Sequence, residues 1–232
     1  MEKKRLAKFM AAAGIASRRA CEEIIFQGRV RVNGSVTLLP QTMVDDNDRI
    51  EVDKKPLSGE ESKVYYLLNK PLGYLCSSTR KGRQKLVLDL FGKIKRRLFT
   101  VGRLDKETTG LLIVTNDGEF ANRVIHPSSN IQKEYIAKTG HEITPELLRT
   151  ISKGAFVEEV FIKPMKVTKV RRGTLKVTVN EGKKREVRRL IEAAGLEVRE
   201  LKRVRIGNLR MGDLPIGSWR KLTEKEKEQI FA

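Results

Sequence analysis

Residues 102–114, Gly-Arg-Leu-Asp-Lys-Glu-Thr-Thr-Gly-Leu-Leu-Ile-Val, constrain this chain more than any other stretch. The apolar run Leu111-Leu112-Ile113-Val114 reads as a buried strand. Before it stands a tight turn bounded by Gly102 and Gly110. A strand that buries its apolar side chains holds the preceding loop rigidly, and such loops are where catalytic groups sit. Asp105 is the acid of that turn, with Arg103 and Lys106 on either side. A carboxylate in basic surroundings stays ionised. A turn Asp that bonds its own backbone is the competing reading, and this segment alone does not separate the two.

The rest of the chain narrows the choice. Its 48 Lys and Arg against 29 Asp and Glu give a formal charge of +19 over 232 residues, which points to a polyanionic partner, most simply nucleic acid. Aromatics make up 6% of residues, so a groove with a few aromatics is expected rather than an extended stacking surface. No apolar run reaches the roughly 18 residues of a spanning helix, and the N-terminus, Met1-Glu-Lys-Lys-Arg-Leu, lacks the apolar core of a signal peptide. A cytoplasmic protein is expected. Cys21 and Cys76 lie in different segments and read as reduced thiols, with Cys21 in the core. His126 and His141 do not combine with them at metal-binding spacing, so no metal site is expected.

The chain divides near residue 58. Leu6, Phe9, Met10 and Ala13 recur at helical spacing and Gly14 is a stop. Ser17 is a good N-cap for a second helix carrying Ala20, Ile24 and Ile25, closed by Gly28. Strand-like alternation follows at 29–32, with Asn33-Gly34 as a hairpin turn, and again at 49–53. The polar side of the second helix carries Arg18 and Arg19, and Arg29 and Arg31 come soon after. Such a run is often just a solvated face, but here it makes one continuous phosphate patch plausible. The segments 5–9, 13–20 and 28–34 make this unit resemble the S4 RNA-binding domain. The resemblance covers about residues 3–52 and implies binding to structured RNA through the helix pair.

Residues 53–62 are polar with Pro and Gly and read as a linker. Residues 59–232 form a larger domain. Strands are expected at 64–69, after the Asp105 turn, at 132–138 and at 198–206, with a hairpin at 166–172 and 174–179. Helices are expected at 119–125, from Thr144-Pro145 to Gly154, at 184–194, and after a capping box at Thr223–Glu226. Residues 80–97 read as a mobile basic loop with one helical turn at 87–91. Many links are too short for parallel crossovers, so the expected class is α+β with a mixed, mostly antiparallel sheet.

Three features of the large domain carry chemistry: Asp105, the Lys133-Glu134-Tyr135 strand start, and the basic helix start at 182–189. Tyr135 is more often a half-buried strand residue, and a basic run more often a phosphate-binding or solvated face. Spacing alone does not show that they meet. In this order, together with 68–73, 102–118 and 201–207, they resemble the RsuA-type pseudouridine synthases. The 13–20 stretch is most similar to the RluB-like branch that acts on large-subunit ribosomal RNA, which favours that RNA over small-subunit RNA. Glu186 departs from the Gln more usual there.

The resemblance implies isomerisation of a uridine within ribosomal RNA, without metal, nucleotide or redox cofactor. Asp105 would be the essential carboxylate, either attacking the sugar or acting as a base. Arg188 would pair with Asp105, and Tyr135 would stack on the base or move a proton at the sugar. The target must leave its stack, and Arg103 would fill the gap. Arg5, Lys8, Arg18, Arg19, Arg29 and Arg31 in the small domain, and Lys70, Lys133, Arg185 and Arg189 in the large one, would contact RNA. A monomer is expected. Two rivals remain. A non-catalytic S4-type assembly factor leaves Asp105, Tyr135 and Arg188 unexplained. A methyltransferase would need a glycine-rich cofactor loop after its first strand, and the sequence has none.

Overall fold

Polar turns and the Ser17 cap set the small N-terminal unit. The structure is a computed structural model that describes residues 3–157 and 159–232; Met1 and Glu2, at the head of the N-terminal stretch read above, and Glu158 lie outside them. The chain forms two compact units. The first runs to Val64 and includes Ile94–Arg97 and Asn116–Gly118; the second comprises Tyr65–Lys93, Leu98–Thr115 and Glu119–Ala232.

In the first unit, α1 (Leu6–Ala12) and α2 (Arg18–Phe26) are followed by β1 (Val30–Val32), β2 (Ser35–Val36), β3 (Ile50–Val52) and β4 (Lys55–Pro56). Ser17 caps α2 as expected, its hydroxyl accepting from the Ala20 N–H at 3.1 Å. Leu6, Met10, Cys21, Ile25, Val30 and Ile50 form its core. Asn33 and Gly34 both take positive φ, 52° and 86°, the geometry a two-residue hairpin needs. The strands run antiparallel in the order β2-β1-β3-β4. The stretch 53–62 is not a free linker. Asp53 and Lys54 turn β3 into β4, the Glu61 N–H bonds the Ala12 carbonyl at 3.1 Å, and Glu60 pairs with Lys4. Polar composition marked it as solvent-facing, but backbone pairing and one ion pair fasten it.

The second unit holds β5 (Tyr65–Lys70), β6 (Phe99–Val101), β7 (Thr108–Thr115), α3 (Gly118–Ile125), β8 (Lys133–Thr139), α4 (Pro145–Lys153), β9 (Lys166–Arg171), β10 (Thr174–Val179), α5 (Glu186–Ala193), β11 (Val198–Ile206), β12 (Trp219–Lys221) and α6 (Glu224–Gln229). Its nine-stranded sheet runs β9-β10-β8-β11-β7-β5-β12, with β6 added to β7 and Leu209–Arg210 to β11. The β7–β11 pair is parallel, and the others described in this sheet are antiparallel. The fold is α+β, as the interleaved short links required. Leu67, Leu111 and Ile113 meet Phe120, Ala121 and Val124 of α3 in the core of one face. Helices α4 and α5 pack on β9 and β11. The 80–97 stretch is tied down: Arg80 pairs with Asp89, Val87 and Phe91 are buried, and Phe91 stacks on Trp219. No helix among the described residues is long and apolar enough to cross a membrane.

One transverse row of the sheet positions everything that follows. Lys70 is in register with Gly110, Gly110 with Arg203, Arg203 with Tyr135, and Tyr135 with Val177. Residues in register share a face, so Lys70, Arg203 and Tyr135 project together, opposite the Leu67 and Leu111 core. A bulge between Glu134 and Tyr135 sets this register. Gly110 is required here: its φ is +102°, and a Cβ would lie 2.2 Å from the Arg203 carbonyl oxygen. Gly110→Ala should therefore cost on the order of 3 kcal/mol or more in urea unfolding. Gly118→Ala, where a Cβ meets nothing within 4 Å, should shift it by less than about 0.5 kcal/mol. Equal effects at the two sites would refute the crowding argument.

Candidate active site

Lys70 ends β5 with 0% exposure. Its ammonium donates to the carbonyls of Pro71 (3.2 Å), Asp105 (3.1 Å), Lys106 (3.5 Å) and Thr108 (2.8 Å). Burial pushes its pKa down, while Cys76, Asp105 and Glu107 act the other way. The expectation that Lys70 contacts RNA is thus corrected: its charge is used up inside the protein, under the Asp105 turn. That turn is closed by the Thr108 N–H on the Asp105 carbonyl at 3.0 Å, and the Gly73 N–H bonds the Lys106 carbonyl at 2.9 Å.

Arg188 fastens the turn from another side. It is buried on α5, with Nη1 on the Val198 carbonyl at 2.8 Å and Nη2 on the Glu107 carbonyl at 3.4 Å. The expected ion pair with the Asp105 carboxylate is replaced by these two main-chain contacts, and Nε of Arg188 is buried without a partner. The turn 105–108 therefore has each of its four carbonyls bonded. No hydrogen bond or ion pair among the described residues engages the Asp105 carboxylate, and Asp105 lines a cavity of about 950 Å³.

Arg103, Lys133, Tyr135 and Arg185 line the same cavity. Tyr135 is buried on β8. Lys133 Nζ donates to the Asn180 carbonyl at 3.2 Å, and burial, helped by Arg203, lowers its pKa. Arg185 precedes α5 in a left-handed conformation, φ 55°, so the helix starts at Glu186 and not at 184. Its guanidinium meets Glu107 at 3.3 Å. Arg189 is half-buried beside it on α5 and does not line the cavity.

Arg203 was not singled out from sequence. It lines the cavity, is buried, bonds the Leu111 carbonyl through Nε at 2.8 Å, and leaves Nη2 buried and unpartnered. The available signal was its place two residues from Leu201 on an alternating strand, which puts a cation where an apolar side chain is the rule. Cys76 also lines the cavity; its sulfur accepts from the Leu104 N–H at 3.4 Å, and burial raises its thiol pKa. Among the described residues no group of His, Cys, Asp and Glu could hold a metal ion.

In the first unit Arg5, Lys8, Arg18, Arg19, Arg29 and Arg31 are exposed. Arg29 grips Asp53 with two bonds of 2.8 and 2.6 Å, Arg18 meets Glu22 at 3.4 Å, and Arg31 bonds the Gly34 carbonyl at 2.9 Å. Arg29 is therefore partly neutralised as a phosphate ligand.

Two substitutions test this geometry. Lys70→Met takes the ammonium from the Thr108 carbonyl and leaves the Asp105 and Lys106 carbonyls one main-chain donor each, and should cost about 3 kcal/mol by chemical unfolding; an unchanged midpoint would show that the ammonium does not hold the turn. Glu186, buried at the cavity wall, has its pKa raised by burial and by Glu181. A carboxyl with a raised folded pKa binds its proton more tightly folded than unfolded, so its stability contribution falls as pH rises through that value. Glu186→Gln should therefore raise the melting temperature at pH 8 and match wild type near pH 4. A gap that widens toward acid would contradict it.

A family model described as RNA pseudouridylate synthase matches residues 64–193, and an S4 domain model matches residues 4–50. The ribosomal large subunit pseudouridine synthase B of Bacillus subtilis is 41% identical over 98% of this chain and 96% of its own length. A chloroplast protein of Arabidopsis thaliana, provisionally named a ribosomal large subunit pseudouridine synthase, is 45% identical over 97% of this chain, which spans 60% of its length. The crystal structure of a pseudouridylate synthase superposes with a TM-score of 0.70 at 28% identity, covering 97% of this chain and 99% of that one.

Proposed function

The chain belongs to the RNA pseudouridylate synthase family and carries an N-terminal S4 domain, and on that premise we propose that it converts one uridine of large-subunit ribosomal RNA to pseudouridine, with Asp105 as the essential carboxylate. The observation that carries the assignment is the Asp105 turn: its main chain is fixed by Lys70 and Arg188, while its carboxylate is unengaged and the residue lines an open cavity. The Bacillus subtilis relative, matched over nearly its full length, is named for the large subunit.

The chemistry places distinct demands on the site. The C1′–N1 bond breaks and its electron pair leaves with the uracil ring. The ring turns, C5 bonds C1′, and the proton lost from C5 is balanced by one taken up at N1. Asp105 acts at the sugar during the first of these steps. Tyr135 lies beside the reacting nucleotide on the row that passes under the turn. Arg203, with an unused Nη2 proton in the same row, offsets negative charge on the departing uracil, which a buried cation does better than an exposed one. Arg103 stands exposed at the turn and occupies the space left by the flipped base. Phosphates stay at the rim with Lys106, Lys184 and Arg185.

Tritium release from ribosomal RNA labelled at uridine C5, with the two subunits' RNAs assayed apart, tests this. Wild type should release tritium from large-subunit RNA. Asp105→Asn should release none while its unfolding free energy stays within about 0.5 kcal/mol of wild type. Multiple turnover by the variant would remove Asp105 from the mechanism. Release from small-subunit RNA alone would correct the substrate.

A further inference from the structure

A short antiparallel hairpin, Ala155–Val157 with Val160–Ile162, lies between α4 and β9. Its register sets Phe156 directly across from Phe161, so both rings stand on one face. Their centroids are 5.0 Å apart with the planes tilted by 51°. Phe156 is 75% exposed and Phe161 44%. Ile162 on the other face is buried, and the hairpin packs on α5. One face anchors the hairpin while the other holds two rings out to water, where apolar surface is unfavourable unless something covers it.

The surroundings identify the cover. Arg149, Lys153 and Lys163, with Leu148 and Ser152, line a shallow depression. Gly154 joins that depression to the rings: a Cβ there would lie 3.0 Å from the Phe161 ring and 3.1 Å from the Lys163 Cα. Lys153, Lys163 and Lys166 are exposed. Arg149 has an exposed partner in Glu146 at 2.9 Å, a pair that solvent screens and phosphate can replace. On the other side Lys183 Nζ bonds the Phe161 carbonyl at 3.3 Å and pairs with Glu181 at 2.8 Å, and Lys183 also lines the Asp105 cavity. The rings therefore lie between a cationic depression and the rim of the cavity. Apolar face beside cation is the chemistry of a nucleotide, with base on ring and phosphate on lysine.

We propose that Phe156 and Phe161 form a stacking platform for an unpaired base of the RNA, next to the uridine that enters the cavity, with its phosphate held by Arg149, Lys153 and Lys163. The proposal rests on the reading that this protein acts on RNA, and it adds a second contact point on that RNA outside the cavity. Because stacking tolerates any base, the platform selects strand state and not sequence.

The test uses the full chain and fluorescence anisotropy with two probes, a single-stranded oligouridylate of about ten nucleotides and a fully paired RNA duplex of the same length. Phe156→Ala should weaken single-strand binding about tenfold and leave the duplex unchanged. The slope of affinity against salt should not move, since no phosphate contact is lost. Phe156→Trp should restore the affinity. Lys163→Ala, in contrast, should lower the salt slope by about one. Wild-type affinity in Phe156→Ala, or an equal loss on the duplex, overturns the platform and leaves the rings to a protein partner. Absence of RNA binding by wild type itself would instead overturn the RNA reading on which the platform rests.

Discussion

The ammonium of Lys70 is fully buried, and the cavity-lining end of the large unit is arranged about it. Removing a cation from water costs several kcal/mol unless its donors are met. Here main-chain oxygens meet them, and three of those four come from the Asp105 turn. A single point charge thus joins the end of β5 to the start of β7. Arg188 repeats the device from α5, binding Glu107 and Val198. Both clamps act on carbonyls, so the turn is stiff while its acid remains available.

The row Lys70–Gly110–Arg203–Tyr135 turns this local stiffness into a site. Three of its members carry polar side chains on one face of a sheet whose other face is a hydrocarbon core. Gly110 contributes the absence of a side chain, which lets β7 and β11 close on one another at Arg203. The bulge after Glu134 brings Tyr135 into that register. A buried guanidinium with an unused donor is costly in a resting protein. Such groups cluster where a substrate completes them.

Much of this was legible in the residues. Helix caps at Ser17, Thr144 and Thr223 appear where side-chain chemistry placed them, because a cap is a local bond. The apolar strand at 111–114 and the Asn33-Gly34 turn were legible for the same reason. Phe99–Val101, Trp219–Lys221 and the Phe156 hairpin were not, since three residues carry no usable period, and the first two pair with strands elsewhere in the chain. Asp105 and Tyr135 could be picked out by type and place. The direction of a cation could not. Lys70 and Arg188 looked like ligands for RNA and carboxylate, and each turned inward to carbonyls. Whether a Lys faces phosphate or backbone depends on burial, which only the assembled sheet determines.

Fastening the Asp105 turn through its main chain has a consequence for variation among relatives. Arg103, Lys106 and Glu107 point outward from a backbone that does not depend on their side chains for its shape. Their identities can drift, or be selected for a different RNA contour, while the carboxylate between them keeps its coordinates. If Asp105 performs the proposed chemistry and its neighbours meet the RNA, reaction and recognition share the same four residues yet are free to evolve at different rates.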